Sequence, residues 1–367
     1  MSADDRRAAR KDDHVRLAEQ QQNEAAPRTD FDDLEFVHHA LAGISADQVD
    51  VSVQVDRWRW PTPFYVNGMT GGTEKTARIN TELAIAARET GLPIACGSIS
   101  VALDEPSTAS GFTVIRKENP DGFVMANLGA GRSAEDAVRA VDLLQADALQ
   151  LHLNAVQETA MPEGSRDFSA WARSVEQIVA ASPVPVIAKE VGFGLSRSTL
   201  TLLGDLGVTI ADVSGKGGTD FLRIENARSS GEAVVDYSVL TGFGQSALAC
   251  LLDAPSGGPV LLASGGVRNP YDVVKALAAG AHAVGVAGVF LKAVLTGGAD
   301  TLVPLVRGWL EQTTALLALL GAASPAELIR TDLLVRGTLG EFCRLRGIDL
   351  IRLSHRSEIH QRLSNDR

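Results

Sequence analysis

The sequence predicts an α/β protein: a closed (β/α)8 barrel of the TIM type, with an N-terminal arm and extra C-terminal helices. Three observations predict it. Short apolar runs recur at regular intervals between residues 63 and 286, and amphipathic segments lie between most of them. Clusters of glycine, serine and other small polar residues follow nearly every apolar run. Strands alternating with helical patterns specify parallel βα units, and eight of them close a barrel.

In chain order, residues 1–30 are charged, glutamine-rich and poor in large apolar side chains. They read as a mobile arm with a short helix near Asp12–Gln22 that could act as a lid. Phe31–Asp56 reads as helix, loop and a short strand. The barrel runs are Pro63–Asn67, Pro93–Gly97, Gly122–Asn127, Ala148–Asn154, Val184–Glu190, Thr209–Ser214, Pro259–Ser264 and Ala281–Val286. Ile79–Thr90, Ala134–Gln145, Asp167–Ala181 and Asn269–Ala279 have the period of surface helices. The insert Phe221–Leu252 leaves room for a further element. The division expected is an arm over 1–30, a cofactor-binding barrel over 31–300, and a helical extension over 301–367 packed on the barrel.

Composition narrows the function. Hydrophobic residues make up 45% of the 367 and charged residues 22%, enough for a large core. A formal net charge of −11 argues against nucleic acid or an anionic membrane as partner. Cys96, Cys250 and Cys343 are far apart, odd in number and without metal or disulfide spacing, which favours a reducing compartment. With no apolar signal-peptide core, and with its most apolar late stretch near Leu316–Leu320, the chain reads as cytoplasmic and not membrane-spanning.

The stretch Leu149–Glu158, LQLHLNAVQE, carries the sharpest chemical signal. Leu149, Leu151 and Leu153 alternate with Gln150, His152 and Asn154, so one strand face is apolar and the other polar. Such a strand suits a barrel whose interior opens onto a site, although a buried polar network that only specifies packing would show the same pattern. Barrel sites lie at the C-terminal strand ends. There the chain places NGMTGG (Asn67–Gly72), GSIS (Gly97–Ser100), ANLG (Ala126–Gly129), Lys189-Glu190, SGKGGT (Ser214–Thr219), SGGVR (Ser264–Arg268) and VAG (Val286–Gly288). Glycine-rich loops after strands seven and eight offer backbone N–H groups and a helix N-terminus to a phosphate. Arg268 adds a fork of donors. Neither a Walker motif nor GxGxxG appears, which leaves P-loop or Rossmann nucleotide binding unsupported, and a barrel that grips phosphate there with an amide, hydroxyls and a lysine around its mouth suits flavin mononucleotide. Lys189 would stand near the electron-poor end of its ring. Alternatively, Lys189 pairs with Glu190 or Glu158.

The chain resembles the type 2 isopentenyl-diphosphate Δ-isomerases, the flavin-dependent class. The resemblance runs from Arg10 to about Gly288 and rests on motifs in order: RKDDH (Arg10–His14), GMTGG (Gly68–Gly72), Gly97-Ser98, Asn127–Gly129, HLNAVQE (His152–Glu158), KEVGFG (Lys189–Gly194), SGKGGT and SGGVRNP (Ser264–Pro270). It implies FMN contacts from Gly68, Met69, Thr70, Ser98, Asn127, Lys189, Ser214, Thr219, Gly266, Val267, Arg268, Ala287 and Gly288. It implies substrate contacts from Arg10, Lys11, Ser98, Asn154 and Gln157, and a magnesium ion on Glu158. Gln157, Lys189 and His152 are the candidate catalytic residues. Two departures stand out: Ile99-Ser100 where many relatives carry Gln-Arg, and Phe243 where some carry Trp.

The activity this implies is conversion of isopentenyl diphosphate to dimethylallyl diphosphate, with reduced FMN as acid and base through N5. Mg²⁺ would hold the diphosphate, NADPH would reduce the flavin, and a homo-oligomer, tetramer or octamer, would be the assembly. Arg10 and Lys11, a solvated charge run when taken alone, become diphosphate ligands on a closing arm. His14 caps or packs that arm. His152 points inward, as a hydrogen-bond donor to substrate or flavin or as a satisfied core histidine. Two rivals are another flavin barrel, either a 2-hydroxy-acid oxidase or a dihydroorotate-type dehydrogenase, and a non-enzymatic flavin-binding module.

Overall fold

The computed structural model describes residues 3–24, 28–69, 71–228 and 235–358. Eight parallel strands close into a barrel: β1 (Phe64–Val66), β2 (Ile94–Ala95), β3 (Val124–Gly129), β4 (Ala148–Leu153), β5 (Val186–Glu190), β6 (Ile210–Asp212), β7 (Val260–Ser264) and β8 (Ala283–Val286). Seven fall within the expected runs, and β3 continues two residues past the expected Gly122–Asn127 to Gly129. Closure is made by β8 against β1, with Gly285 beside Tyr65.

Alternation along the strands builds two cores. Outward residues such as Phe64, Val66, Leu149 and Leu151 pack beneath the helices. Inward residues Tyr65, Met125, Ile187, Ile210 and Leu262 fill the lower barrel together with Val53, Val55 and Trp60. Those last three come from an antiparallel hairpin, Val53–Val55 with Trp58–Trp60, that plugs the N-terminal end. Asp56 makes its turn at φ 49°, a left-handed conformation that short Asx side chains tolerate. With the bottom covered by this hairpin, the cavity lies at the strand C-termini.

Four helices matter for the site: α1 (Ala3–Asn23), α2 (Ala155–Ala160), α3 (Phe221–Arg228) and α4 (Gly288–Leu319). The expected arm helix is therefore present as α1, and the insert after β6 does hold a helix, α3. The C-terminal region differs from expectation in two ways. Helix α4 begins directly after β8 and crosses the expected boundary at 300, bending where Gly297 and Gly298 leave helical geometry. Its 32 residues are long and apolar enough to cross a bilayer by length and composition. Phe290, Leu302, Val306 and Trp309 are nevertheless buried in the barrel's outer core, the position of a core helix. The extension also contributes a strand, Leu333–Val335, antiparallel to Leu34–Phe36, before the expected further helices Gly337–Leu345 and Leu350–Ser354.

Candidate active site

A cavity of about 1010 Å³ opens at the C-terminal strand ends beneath α1. Its lining brings together every site residue expected from the sequence except Thr70, which lies outside the described residues. Gly68, Met69, Ser98, Asn127, Lys189, Ser214, Thr219, Gly266, Val267, Arg268, Ala287 and Gly288 all face it. Arg10 and Lys11 enter from α1, and His152, Asn154, Gln157 and Glu158 from β4 and α2.

On the β3–β4 side Asn127 clasps two neighbours. Its Nδ2 donates to Gln150 Oε1 at 3.2 Å, and its Oδ1 lies 2.8 Å from His152 Nδ1. Burial, followed by the charges of Lys11 and Lys189, lowers His152 to about 3. The ring is therefore neutral, and with its Nδ1 proton given to Asn127 it turns an accepting Nε2 to the cavity.

Lys189 is buried on the floor. Its Nζ donates to Asp212 Oδ2 at 2.9 Å, to Ser214 Oγ at 2.9 Å and to Ser264 Oγ at 3.2 Å. Neither Glu190 nor Glu158 is its partner, contrary to the alternative the sequence left open. Glu190 turns away and accepts the N–H groups of Val191, Gly192 and Phe193, while burial pushes its carboxyl up to about 7. Glu158 accepts from Asn154 Nδ2 at 3.2 Å and from the Ser165 N–H at 2.8 Å.

Glu225 on α3 was missed by sequence reasoning. It is fully buried and accepts from Gln157 Nε2 at 2.9 Å, from His14 Nε2 at 2.9 Å and from Arg228. Burial alone would raise its carboxyl, yet the His14, Gln157 and Arg228 contacts hold it below the usual range. Burial also lowers His14, so this contact is a neutral imidazole donating to a carboxylate. Helix α1 is thus tied across the mouth. Asp12 accepts from Thr73 at 2.7 Å, Arg10 meets Glu163 at 3.3 Å, and the Gln21 amide pairs with the Asp220 backbone at 2.8 and 3.1 Å. Lys11 lies over the cavity, lowered to about 8 by burial and then by Arg10.

The phosphate end is made of backbone. Loops after β6 and β7 meet glycine to glycine: a Cβ on Gly266, whose φ is +80°, would stand 3.0 Å from the Gly217 carbonyl carbon. Among the described residues no acceptor meets the N–H groups of Gly266, Val267 or Gly288. Such a nest at the start of a helix fits a phosphate. The Arg268 side chain is occupied otherwise. It is held by Asp32 at 2.8 and 3.0 Å and by Asp272 at 2.8 Å, so its guanidinium orders the loop. FMN therefore fits the cavity, with backbone donors for its phosphate and Lys189 with hydroxyls for its ring. A metal ion would find Glu158 but no group of three His, Cys, Asp or Glu among the described residues. The three cysteines are free and buried, with thiols pushed up to about 12, 12 and 11.

Comparison with known proteins agrees with this geometry. Residues 125–335 match the FMN-dependent dehydrogenase family. The chain is 55% identical over 350 residues to the isopentenyl-diphosphate delta-isomerase of Kitasatospora griseola, covering 95% of each. It is 44% identical to that of Staphylococcus haemolyticus, over 95% of this chain and 99% of the relative. A mandelate oxidase variant with (S)-mandelic acid superposes with a TM-score of 0.64 at 20% identity, covering 91% of this chain and 98% of that one. That last likeness concerns the fold alone. The chain belongs to the isopentenyl-diphosphate delta-isomerases, in the type 2 class built on the FMN-dependent barrel.

Proposed function

We propose that this cavity, loaded with FMN, converts isopentenyl diphosphate to dimethylallyl diphosphate with no net oxidation. The carrying observation is the pairing of a phosphate-competent backbone nest at β7 and β8 with a second set of polar groups, on α1 and α2, facing it across the cavity. The first set suits FMN and the second a diphosphate. Arg10 and Lys11 supply cationic donors for the diphosphate. Glu158 would hold Mg²⁺, and with a single protein carboxylate that ion would take its remaining ligands from substrate oxygens and water, as Mg²⁺ commonly does.

A 1,3-allylic shift adds a proton at the terminal carbon and removes one from the allylic carbon, with tertiary cation character between. When bound and reduced, FMN would supply a proton-exchanging, electron-rich ring for this shift. Gln157, fixed between Asn154 and Glu225, orients the skeleton. His152 offers its accepting Nε2, and Lys189 anchors the ring. Helix α1 acts as a lid that excludes water from a reactive cation. The same reading takes NADPH as the flavin reductant, the cytoplasm as location and a homo-oligomer, tetramer or octamer, as assembly.

The test is anaerobic incubation of FMN-loaded, reduced protein with isopentenyl diphosphate, followed by NMR with and without Mg²⁺. Appearance of the dimethylallyl isomer, dependent on Mg²⁺, is expected. Bound flavin without isomer would overturn the proposed activity and favour an oxidase or dehydrogenase.

A further inference from the structure

The floor of the cavity contains a buried charge pair that the proposed chemistry does not by itself require. Asp212 on β6 is wholly inaccessible. It receives Lys189 Nζ at 2.9 Å, Tyr65 Oη at 2.8 Å, Ser264 Oγ at 2.8 and 2.9 Å, and the Ser214 N–H at 3.1 Å. These groups come from β1, β5 and β7 and from the loop after β6, and the barrel is shaped to let them meet. Lys189 and Asp212 are neighbours in the β5–β6 register. Gly285 on β8 carries no side chain where a Cβ would stand 2.8 Å from the Tyr65 hydroxyl. An ammonium has three donors. All three of Lys189 point at protein oxygens, and the longest, to Ser264, is the one most readily exchanged for a ligand. Lys189 lines the cavity and Asp212 lies behind it, so the pair presents its positive end upward.

We propose that Asp212 is a positioning residue that acts through Lys189, orienting its ammonium toward the cavity and balancing its charge, so that the pair sets the charge met by the flavin. This rests on the reading that FMN occupies the cavity. A lone buried ammonium is costly, and removing one partner of such a pair leaves that cost uncompensated. Without the carboxylate the lysine gives up its proton in the oxidised protein. An anionic reduced flavin above it draws the proton back. Reduction then takes up one proton more than in the native protein. Other titratable groups near Lys189 are His152 from β4, Glu190, which is next to it on β5 but turned away, and Lys11 on the far side of the same cavity. All three remain in the variant, so the comparison is between slopes.

The experiment measures the flavin midpoint potential of FMN-loaded native protein, Asp212→Asn and Asp212→Asn/Lys189→Arg between about pH 7 and pH 9. In Asp212→Asn the reduced-to-oxidised ratio should fall an extra tenfold per pH unit relative to native, about 30 mV for a two-electron couple. The double variant should return to the native slope, because a guanidinium keeps its charge throughout. Parallel slopes in native and Asp212→Asn would overturn the inference. That is also what a merely structural role predicts, since it weakens both redox forms alike. Asp212→Leu, which removes the carboxylate and fills its space without admitting water to the ammonium, is the second variant if the asparagine folds poorly, with the same slope expected. Native protein that binds no FMN would overturn the cofactor reading itself, and this inference with it.

Discussion

Replacing Lys11 tests the lid and the diphosphate site together. Burial and then Arg10 bring this ammonium from 10.5 down to about 8. At 1.36 kcal/mol per pH unit the displacement corresponds to about 3 kcal/mol. A diphosphate that restores the ordinary value regains up to that amount, a ceiling of roughly 300-fold in affinity. The sign follows. Below about pH 8 Lys11 is already charged and affinity is flat. Above it, binding must bring in a proton, so the dissociation constant rises about tenfold per pH unit toward that ceiling. The assay is calorimetric titration of dimethylallyl diphosphate into oxidised, FMN-loaded protein, which cannot turn over. Lys11→Arg keeps its charge at all these pH values and should show no rise. Lys11→Met should bind weakly throughout, by about 10- to 100-fold, the range of a lost charge-assisted contact. A flat native profile, or a rise that survives in Lys11→Arg, would refute the argument.

Three further substitutions follow from the geometry. Glu225→Gln leaves Arg228 without its buried carboxylate and disturbs both Gln157 and His14; a stability loss of about 3 kcal/mol and a reduced kcat are expected, read by thermal unfolding and turnover. An unchanged Tm would mean that the triad does not hold α1 and α2. Gly285→Ala drives a Cβ to 2.8 Å from the Tyr65 hydroxyl and 3.0 Å from Asn67 Nδ2, at a cost of about 1–3 kcal/mol that calorimetry would detect as a lower Tm. Glu158→Gln should abolish the response to Mg²⁺ while leaving FMN binding intact; retention of both rate and metal dependence would remove Glu158 from the metal site.

Much of this was legible in the sequence, for physical reasons. A barrel strand is short, apolar and followed by a turn, so all eight could be read from composition and spacing. The phosphate nest was legible because only glycines permit backbones to approach as Gly217 and Gly266 do. The resemblance then supplied the remaining site residues. What stayed hidden depends on partners distant in the chain. Asp212 lies within an ordinary apolar run, and its role arises only when β5 and β6 lie in register. Glu225 meets Gln157 across 68 residues, from a helix inside an insert that showed no strong periodicity. Arg268 carried a motif signal for phosphate, but Asp32 from the segment after α1 claims it, a contact spanning 236 residues. The boundary expected at 300 falls just after the kink at Gly297 and Gly298, where the helical segment that starts at Gly288 leaves helical geometry before continuing to Leu319.

The central claim is an isomerisation in which the flavin is retained in one redox state. Simultaneous recording of flavin absorbance and product by NMR, under anaerobic single-reduction conditions, tests it most directly. Many molecules of dimethylallyl diphosphate per flavin are expected, with the spectrum of the reduced form unchanged at the end. Product limited to one molecule per reduced flavin, with the flavin reoxidised, would contradict it.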